Sequence, residues 1–483
     1  LFVAAAAVAL MAGALKSGPA RMPAGGRTLA ALLVGLGLAA PTLVVLPPNA
    51  VRLALVQVSG SVVAPFQLAW ATDDDEDDDA PLEPAGPDAE SWFVDRADAP
   101  EVPPTRPPLL DAPVVLALFV DSLRADVLRG PDAARRYPHM ARLCREGVDF
   151  RQARAPGAQT VLTMTSVFTG KYFSQLYWEP HPRHPDHFPH ADPSPRVPAL
   201  LTAAHVDTAH LSAAFWLVDG WGITRGFAEE RVVGSTHGTR YAASDDIVTA
   251  LAQRLEDQGD RPFFSYAHLF DAHYVVGRTL IGGPRHAQYE RGLRRVDGQI
   301  GRLQKRVAKA GLTDRTIIIL TADHGEGLGE HGVEHHSATL YEELVRVPLC
   351  VFGPGIDARV VDAPVSLIDL APTLLDLFGQ PTPGSFMGQS LVPVLKGGAP
   401  DLTRPIIAEG RLKKALITPD GLKVIRDDRA HTLEIYDLKS DPDESDNLAG
   451  ADHPGADAAV RRLRRFFKVH TLKKPGYTPP FRR

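Results

Sequence analysis

The sequence predicts an α/β fold: a mostly parallel central sheet flanked by helices on both faces, with a small C-terminal antiparallel subdomain. Three observations predict it. "PVVLALFVDSL" and "RTIIILTADHG" are continuous apolar runs of strand length, each ending in an aspartate, Asp121 and Asp323, as suits strands buried on both faces of a sheet. Amphipathic stretches at 134–146, 245–257 and 290–310 lie among such runs, and alternation of this kind builds a covered parallel sheet. After about residue 400, "ALITPDGLKVIRDD" and "HTLEIYDLKSDPDESDNL" read as short antiparallel strands joined by turns.

Taken in order, the N-terminus is a different material. Residues 1–15 carry no charge, Lys16, Arg21 and Arg27 follow, and 28–51 is again uncharged and rich in Leu, Val and Ala. That second run is long enough to cross a bilayer as a helix. Residues 53–72 are also uncharged, but Gln57, Ser59, Gly60, Ser61, Pro65 and Gln67 weaken them, so they span or lie in the interface. The chain begins with Leu, and its natural start is expected upstream. The first run is read as a truncated span, against a competing reading as a signal peptide. The basic loop 16–27 should face the cytoplasm, which places the large domain outside if 53–72 does not cross. The expectation is an inner or cell membrane protein with 1–72 in the bilayer and an extracytoplasmic domain.

Residues 73–110, opening "DDDEDDDAPLEPAGPDAE", are acidic and Pro-rich and read as an extended, solvated linker. The α/β domain is assigned to 111–400, with "RPFFSYAHLFDAH" (261–273) and "VRVPLCVFGPG" (345–355) as further strands, and the C-terminal subdomain to 401–483. A basic helix, "AAVRRLRRFFKVHTLKK", closes the chain and is read as packed on the domain rather than lying on a membrane. The net charge of −6, with Lys and Arg spread along the chain, excludes nucleic acid as a partner. The two cysteines, Cys144 and Cys350, sit in apolar contexts and read as separate buried thiols; a disulfide framework is excluded and they leave the compartment open. In "EPHPRHPDHFPH", His181, His184, His187 and His190 recur every third residue, which would align them along an extended left-handed helix. The reading is a loop near the site entrance without a fixed ion.

The chemistry concentrates in "TADHGEGLGEHG". Asp323 and His324 follow a strand inside a Gly-rich loop, and a carboxylate beside an imidazole suits a divalent metal. Asp121, at the end of another strand, adds a second carboxylate at the sheet edge where ligands bind. "TVLTMTSVFTG" (160–170) carries five hydroxyls. His336, His268 and His273 lie in "HHSATLYEELVRVPL" and "HLFDAHY". By itself Thr160 reads as a helix cap.

These motifs, taken in order with "VSLIDLAPTLLDLFG", "MGQSLVPVLKG" and "LEIYDLKSDPDESDNL", cover nearly everything from 113 to 450. They resemble the sulfatase branch of the alkaline phosphatase superfamily, which includes membrane-bound phosphoethanolamine and phosphoglycerol transferases. The resemblance implies a nucleophile, Cys modified to formylglycine, Ser or Thr, ten residues before the Gly of a Thr-Gly pair. Counting back from Gly170 gives Thr160. A threonine there, with Val161, Leu162, Thr163 and Met164 in place of the rest of Cys-x-Pro-x-Arg, is typical of the transferase and phosphodiesterase branches. It implies Asp121, Thr160, Asp323 and His324 as ligands of one divalent ion. Ser122 stands where sulfatases often have a second Asp, and His324 adds nitrogen, which favours Zn or Mn over Ca or Mg. His336 and His273 match positions that contact the transferred group or leaving oxygen. They are the expected proton-delivering catalytic residues and, with Lys171, substrate-binding residues. His268 and His331 are weaker candidates, and Arg124 and Asp126 brace the loop.

The function expected is a membrane-anchored, metal-dependent hydrolase or transferase of phosphate or sulfate esters, acting through a covalent Thr160 intermediate. Its substrate would be a lipid or an envelope polymer. The alternatives are a phosphoethanolamine- or phosphoglycerol-type transferase and a catalytically silent membrane-anchored binding protein.

Overall fold

A computed structural model describes residues 90–238, 241–273, 284–401, 403–451 and 453–480. The expected membrane segments and the acidic run lie outside the described residues. Among the described residues no helix is long and apolar enough to cross a membrane.

The main elements in chain order are β1 (Val114–Val120), α1 (Pro138–Glu146), β2 (Val148–Arg154), α2 (Thr160–Thr169), β3 (Asp207–Ser212), β4 (Glu229–Val232), α3 (Ser244–Glu256), β5 (Phe263–Leu269), α4 (Arg285–Lys309), β6 (Thr316–Thr321), α5 (Glu342–Val345), β7 (Leu349–Phe352) and β8 (Arg359–Ser366). Then follow β9 (Ile406–Glu409), β10 (Lys413–Ile417), β11 (Leu422–Asp427), β12 (Thr432–Asp437) and α6 (Ala456–His470). The first eight strands form one sheet in the order β8-β2-β7-β6-β1-β5-β3-β4. β7 runs antiparallel to both its neighbours, and all other pairings in this sheet are parallel. β1, β5 and β6 are buried at every residue, which is why their sequences are apolar throughout instead of alternating. β9 to β12 form the antiparallel sheet expected at the C-terminus.

Two expectations fail here. Cys144 on α1 and Cys350 on β7 are not separate thiols but a disulfide, with Cα atoms 4.9 Å apart. Two cysteines 206 positions apart give no local signal of pairing; α1 packing against β7 makes the bond. Residues 90–110 are also not a solvated spacer. Trp92 and Phe93 are buried in a core with Ile407, Val424, Leu463 and Phe466. Val102 bridges Thr382, and the Thr105 hydroxyl and N–H both donate to Asp376. Two aromatic rings supply enough apolar area to dock a segment that looks like a linker by composition. The basic closing helix is packed as expected: α6 turns Ala459, Leu463, Phe466 and Phe467 inward. The histidine tract is not an aligned row. His181 stacks on Trp221 with ring centroids 3.9 Å apart, His190 pairs with Glu179, and His184 contacts Asp186. A short hairpin (Glu179–Pro180 with His187–Phe188) takes the place of a left-handed helix, and His181 and His184 share Trp221 and Phe188 as neighbours.

Candidate active site

The parallel strands β1 and β6 are paired, with Phe119 opposite Thr321, so their C-terminal ends deliver Asp121 and Asp323 to the same rim. Both carboxylates are fully buried. Ser122 is held in the left-handed backbone region (φ 64°), which reverses the chain directly after Asp121. Its hydroxyl donates to Asp121 Oδ1 (2.8 Å) and its N–H points to Asp323 Oδ1 at 3.4 Å. The loop after β6 is drawn tight against α5. Gly325 N–H donates to the Leu344 carbonyl, and a Cβ on Gly325 would collide with the Glu343 carbonyl. That close approach is the reason the motif needs glycine there.

His324 is fully buried beside Asp323, with Nε2 3.2 Å from Asp323 Oδ2 and 3.2 Å from the Thr160 hydroxyl. Its Nδ1 faces the Gly325 carbonyl at 2.8 Å and donates to it, since a carbonyl only accepts. Thr160 is the first residue of α2, and Gln159 is the cap residue. The other threonine hydroxyls of the segment are spent locally: Thr163 on the Gly157 carbonyl, Thr165 on Val161 and Thr169 on Thr165. Thr160 alone among these threonines turns its hydroxyl to the carboxylate cluster. The helix-cap reading of its side chain is therefore not what the structure shows.

Burial opposes ionisation of Asp121, yet His273, His268 and His324 hold its carboxyl well below the usual range. Burial likewise opposes a charge on His324, and Asp323 and Asp121 outweigh it, pushing the imidazole up to about 10. Without an ion, the two carboxylates thus favour a positive charge at this point of the cluster. Asp323 Oδ2 is buried without a hydrogen-bond partner among the described residues. An orphaned carboxylate oxygen, a second carboxylate, an imidazole nitrogen and a hydroxyl in one buried cluster fit a divalent cation. Asp121, His268 and Asp323 also offer ligand atoms that all lie within 4.8 Å of one another.

His336 lies over this centre, its ring 4.3 Å from His324 and 5.3 Å from His273. Its Nδ1 is 3.4 Å from Glu326 Oε1, which also accepts from Arg285 at 3.1 Å. Burial lowers the His273 pKa despite the nearby Asp121. Arg124 pairs with Asp126 and Glu330 and donates to the Glu326 carbonyl, bracing the loop as expected. Lys171 is not brought to the cluster. The ten residues of α2, about 15 Å of helix at ~1.5 Å per residue, run from Thr160 towards it, and its Nζ donates to Ser194 Oγ at 3.2 Å. Lys171 follows the Gly170 turn, so helix length alone moves it away.

Sequence reasoning underrated His268 and missed Glu326 and Tyr266. Tyr266 and His268 alternate on one face of β5, and Glu326 is two residues past His324 in the same loop. Strand periodicity is the signal that would have found the first two.

This sheet, with its acidic and imidazole-bearing rim, defines an α/β protein with a candidate metal centre at the strand ends. The model of the sulfatase family matches residues 113–380, and the chain belongs to that family. It is 35% identical over 169 residues to arylsulfatase K of Bos taurus, a stretch that is 32% of this chain and 31% of that protein. The chain thus spans about a third of the length of that curated relative. Among solved structures it is similar to a putative sulfatase from Bacteroides thetaiotaomicron, with a TM-score of 0.63, 19% identity and 77% of this chain on 98% of that one. It is also similar to a phosphonate monoester hydrolase from Silicibacter pomeroyi, with a TM-score of 0.55, 20% identity and coverage of 74% and 96%. These likenesses show the fold.

Proposed function

We propose that this protein is a membrane-anchored, metal-dependent hydrolase or transferase of phosphate or sulfate esters that works through a covalent ester on Thr160. The observation that carries the reading is the Thr160 hydroxyl, 3.2 Å from His324 Nε2, while its neighbours on α2 are spent on backbone carbonyls. Asp121, Asp323, His324 and Thr160 would hold one divalent ion, with Zn or Mn favoured over Ca or Mg because a nitrogen joins the oxygens. When bound, such an ion supplies Lewis acidity and favours the alkoxide form of a hydroxyl.

The chain's own residues then divide the work. Thr160 Oγ attacks phosphorus or sulfur and the bond to the leaving oxygen breaks. His336, engaged at Nδ1 by Glu326, has Nε2 left to protonate that oxygen. His273, beside it, donates to the transferred group. In the second half His336 takes a proton from water or an acceptor alcohol, which releases the group from Thr160. The N-terminus of α2 directs its first N–H groups toward the developing negative charge. A threonine at this position supports phosphoryl transfer to a lipid or envelope-polymer acceptor over sulfate hydrolysis. The apolar run 28–51 supports a bilayer anchor. The Cys144–Cys350 disulfide supports an oxidising, extracytoplasmic setting for the α/β unit. The test is turnover of aryl phosphate, phosphodiester and sulfate esters by the full chain and by Thr160→Ala. The variant should lose on the order of 10⁴–10⁶-fold. Equal rates remove Thr160 from the mechanism, and a purified chain without a stoichiometric ion or turnover favours the silent binding protein.

A further inference from the structure

The centre contains two fully buried imidazoles beside the same pair of carboxylates, His324 and His268, and their hydrogen bonds set them apart. Tyr266 and His268 lie two residues apart on β5 and so share a face. Tyr266 is buried, and among the described residues its hydroxyl has one polar partner, His268 Nδ1. A phenol carries one proton, and a buried proton without an acceptor is costly. The network therefore assigns Tyr266 as donor and His268 Nδ1 as acceptor. The neutral ring then carries its proton on Nε2, and that nitrogen lies 3.1 Å from Asp121 Oδ2 and 3.8 Å from Asp323 Oδ2. The nearer contact is a donated hydrogen bond to Asp121.

His324 has the opposite arrangement. Its Nδ1 must donate to the Gly325 carbonyl, which leaves the Nε2 lone pair for a ligand. Asp121 is meanwhile gripped at both oxygens, Oδ1 by the Ser122 hydroxyl and Oδ2 by His268. The Tyr266 ring that starts this chain is wedged edge-on between Phe119 and Phe168, with centroids 5.3 and 5.2 Å away, and lies flat on His210 at 5.0 Å. A ring held that firmly fixes the imidazole of His268, and through it the Asp121 carboxylate.

We propose that Tyr266 and His268 form a positioning relay, O–H to Nδ1 and Nε2–H to Asp121 Oδ2, which orients Asp121 for the cation, and that His268 is not itself a ligand. The proposal rests on the reading that Asp121 holds a divalent ion. It makes His324 the one imidazole bound to that ion.

The experiment uses the full chain loaded with Co²⁺, comparing wild type with His268→Gln, His268→Ala and Tyr266→Phe, each checked for folding by thermal melting. X-ray absorption counts the imidazole ligands, and chelator competition measures the Co²⁺ dissociation constant. One imidazole should be found in wild type. His268→Gln keeps an N–H near the Nε2 position, so it should keep a stoichiometric ion and an unchanged visible spectrum. His268→Ala should weaken Co²⁺ by about 10–100-fold with the same spectrum, and Tyr266→Phe should weaken it less. Two imidazoles in wild type, one of them lost in His268→Gln, would overturn the proposal. So would an unchanged dissociation constant in His268→Ala. A wild-type chain that takes up no stoichiometric Co²⁺ would instead sink the metal-centre reading, and the relay with it.

Discussion

Lys423→Met isolates the buried charge cluster that ties the C-terminal sheet to the α/β domain. Lys423 on β11 is buried, 3.1 Å from Glu342 and 2.8 Å from Glu444. Glu342 has a second cation, Arg154, at 2.8 Å, so it remains paired when the lysine is removed. Among the described residues Glu444 forms no other salt bridge, although its Oε2 still accepts the Glu342 N–H. Removing one partner of a buried pair costs about 3–5 kcal/mol. A unit of roughly 400 residues unfolds with about 2.1 cal/mol/K per residue, so that loss lowers Tm by about 4–6 °C. The drop should depend on pH. Burial, and the Glu342 charge, push Glu444 up to about 7 even with Lys423 beside it. Without the lysine its neutral form is favoured further, so the variant should lose less at pH 6 than at pH 8. Adding Glu444→Gln should recover most of the loss at pH 8, because no unpaired charge is then left inside. Differential scanning calorimetry on the three proteins at both pH values is the assay. A Lys423→Met melt within 1 °C of wild type, or a double variant no better than the single, would refute the cluster's role.

Three further outcomes follow from the site. Glu326→Gln should slow turnover of alkyl esters by about 10-fold or more and 4-nitrophenyl esters less, because protonation by His336 matters most for poor leaving groups; equal losses across leaving groups would contradict its link to His336. His331 is raised to about 9, chiefly by its hydrogen bond to Glu343, and its Nε2 reaches the Glu444 carbonyl. The stabilisation from its charge is complete below about pH 6.5 and is lost as pH rises through 9, so wild-type Tm should fall across that window more than His331→Asn does. Thr160→Ser should keep measurable turnover where Thr160→Ala does not, since it preserves the hydroxyl at the first position of α2; loss in both to the same extent would point to a steric role for the threonine methyl.

Six of the seven site residues named from sequence gather in one place, and the physical reason is local. Asp121 and Asp323 end apolar runs, and neighbouring parallel strands must release their ends at one rim. Thr160 and His324 follow from motif spacing. Lys171 failed because a motif boundary is not a distance, and a helix lay in between. His268 was undervalued because its partner, Asp121, is on another strand, and only pairing of β1 with β5 brings Phe119 level with His268. The edge strands β4 and β8 carried weaker apolar patterns, with exposed residues such as Glu229 and Val360. They were not separately legible. The Cys144–Cys350 bond was invisible for the same reason as His268: it depends on which helix covers which strand.

Mass spectrometry of a rapidly quenched reaction tests the central claim most directly. The full-length wild type and His336→Ala are mixed with a phosphodiester, denatured in acid within seconds and digested. The mass of the transferred group should appear on the peptide containing Thr160, with more of it in His336→Ala when the leaving group is 4-nitrophenol, which departs without a proton from His336 while release still needs that residue. Turnover with no adduct on that peptide, or with the adduct on another residue, would contradict it.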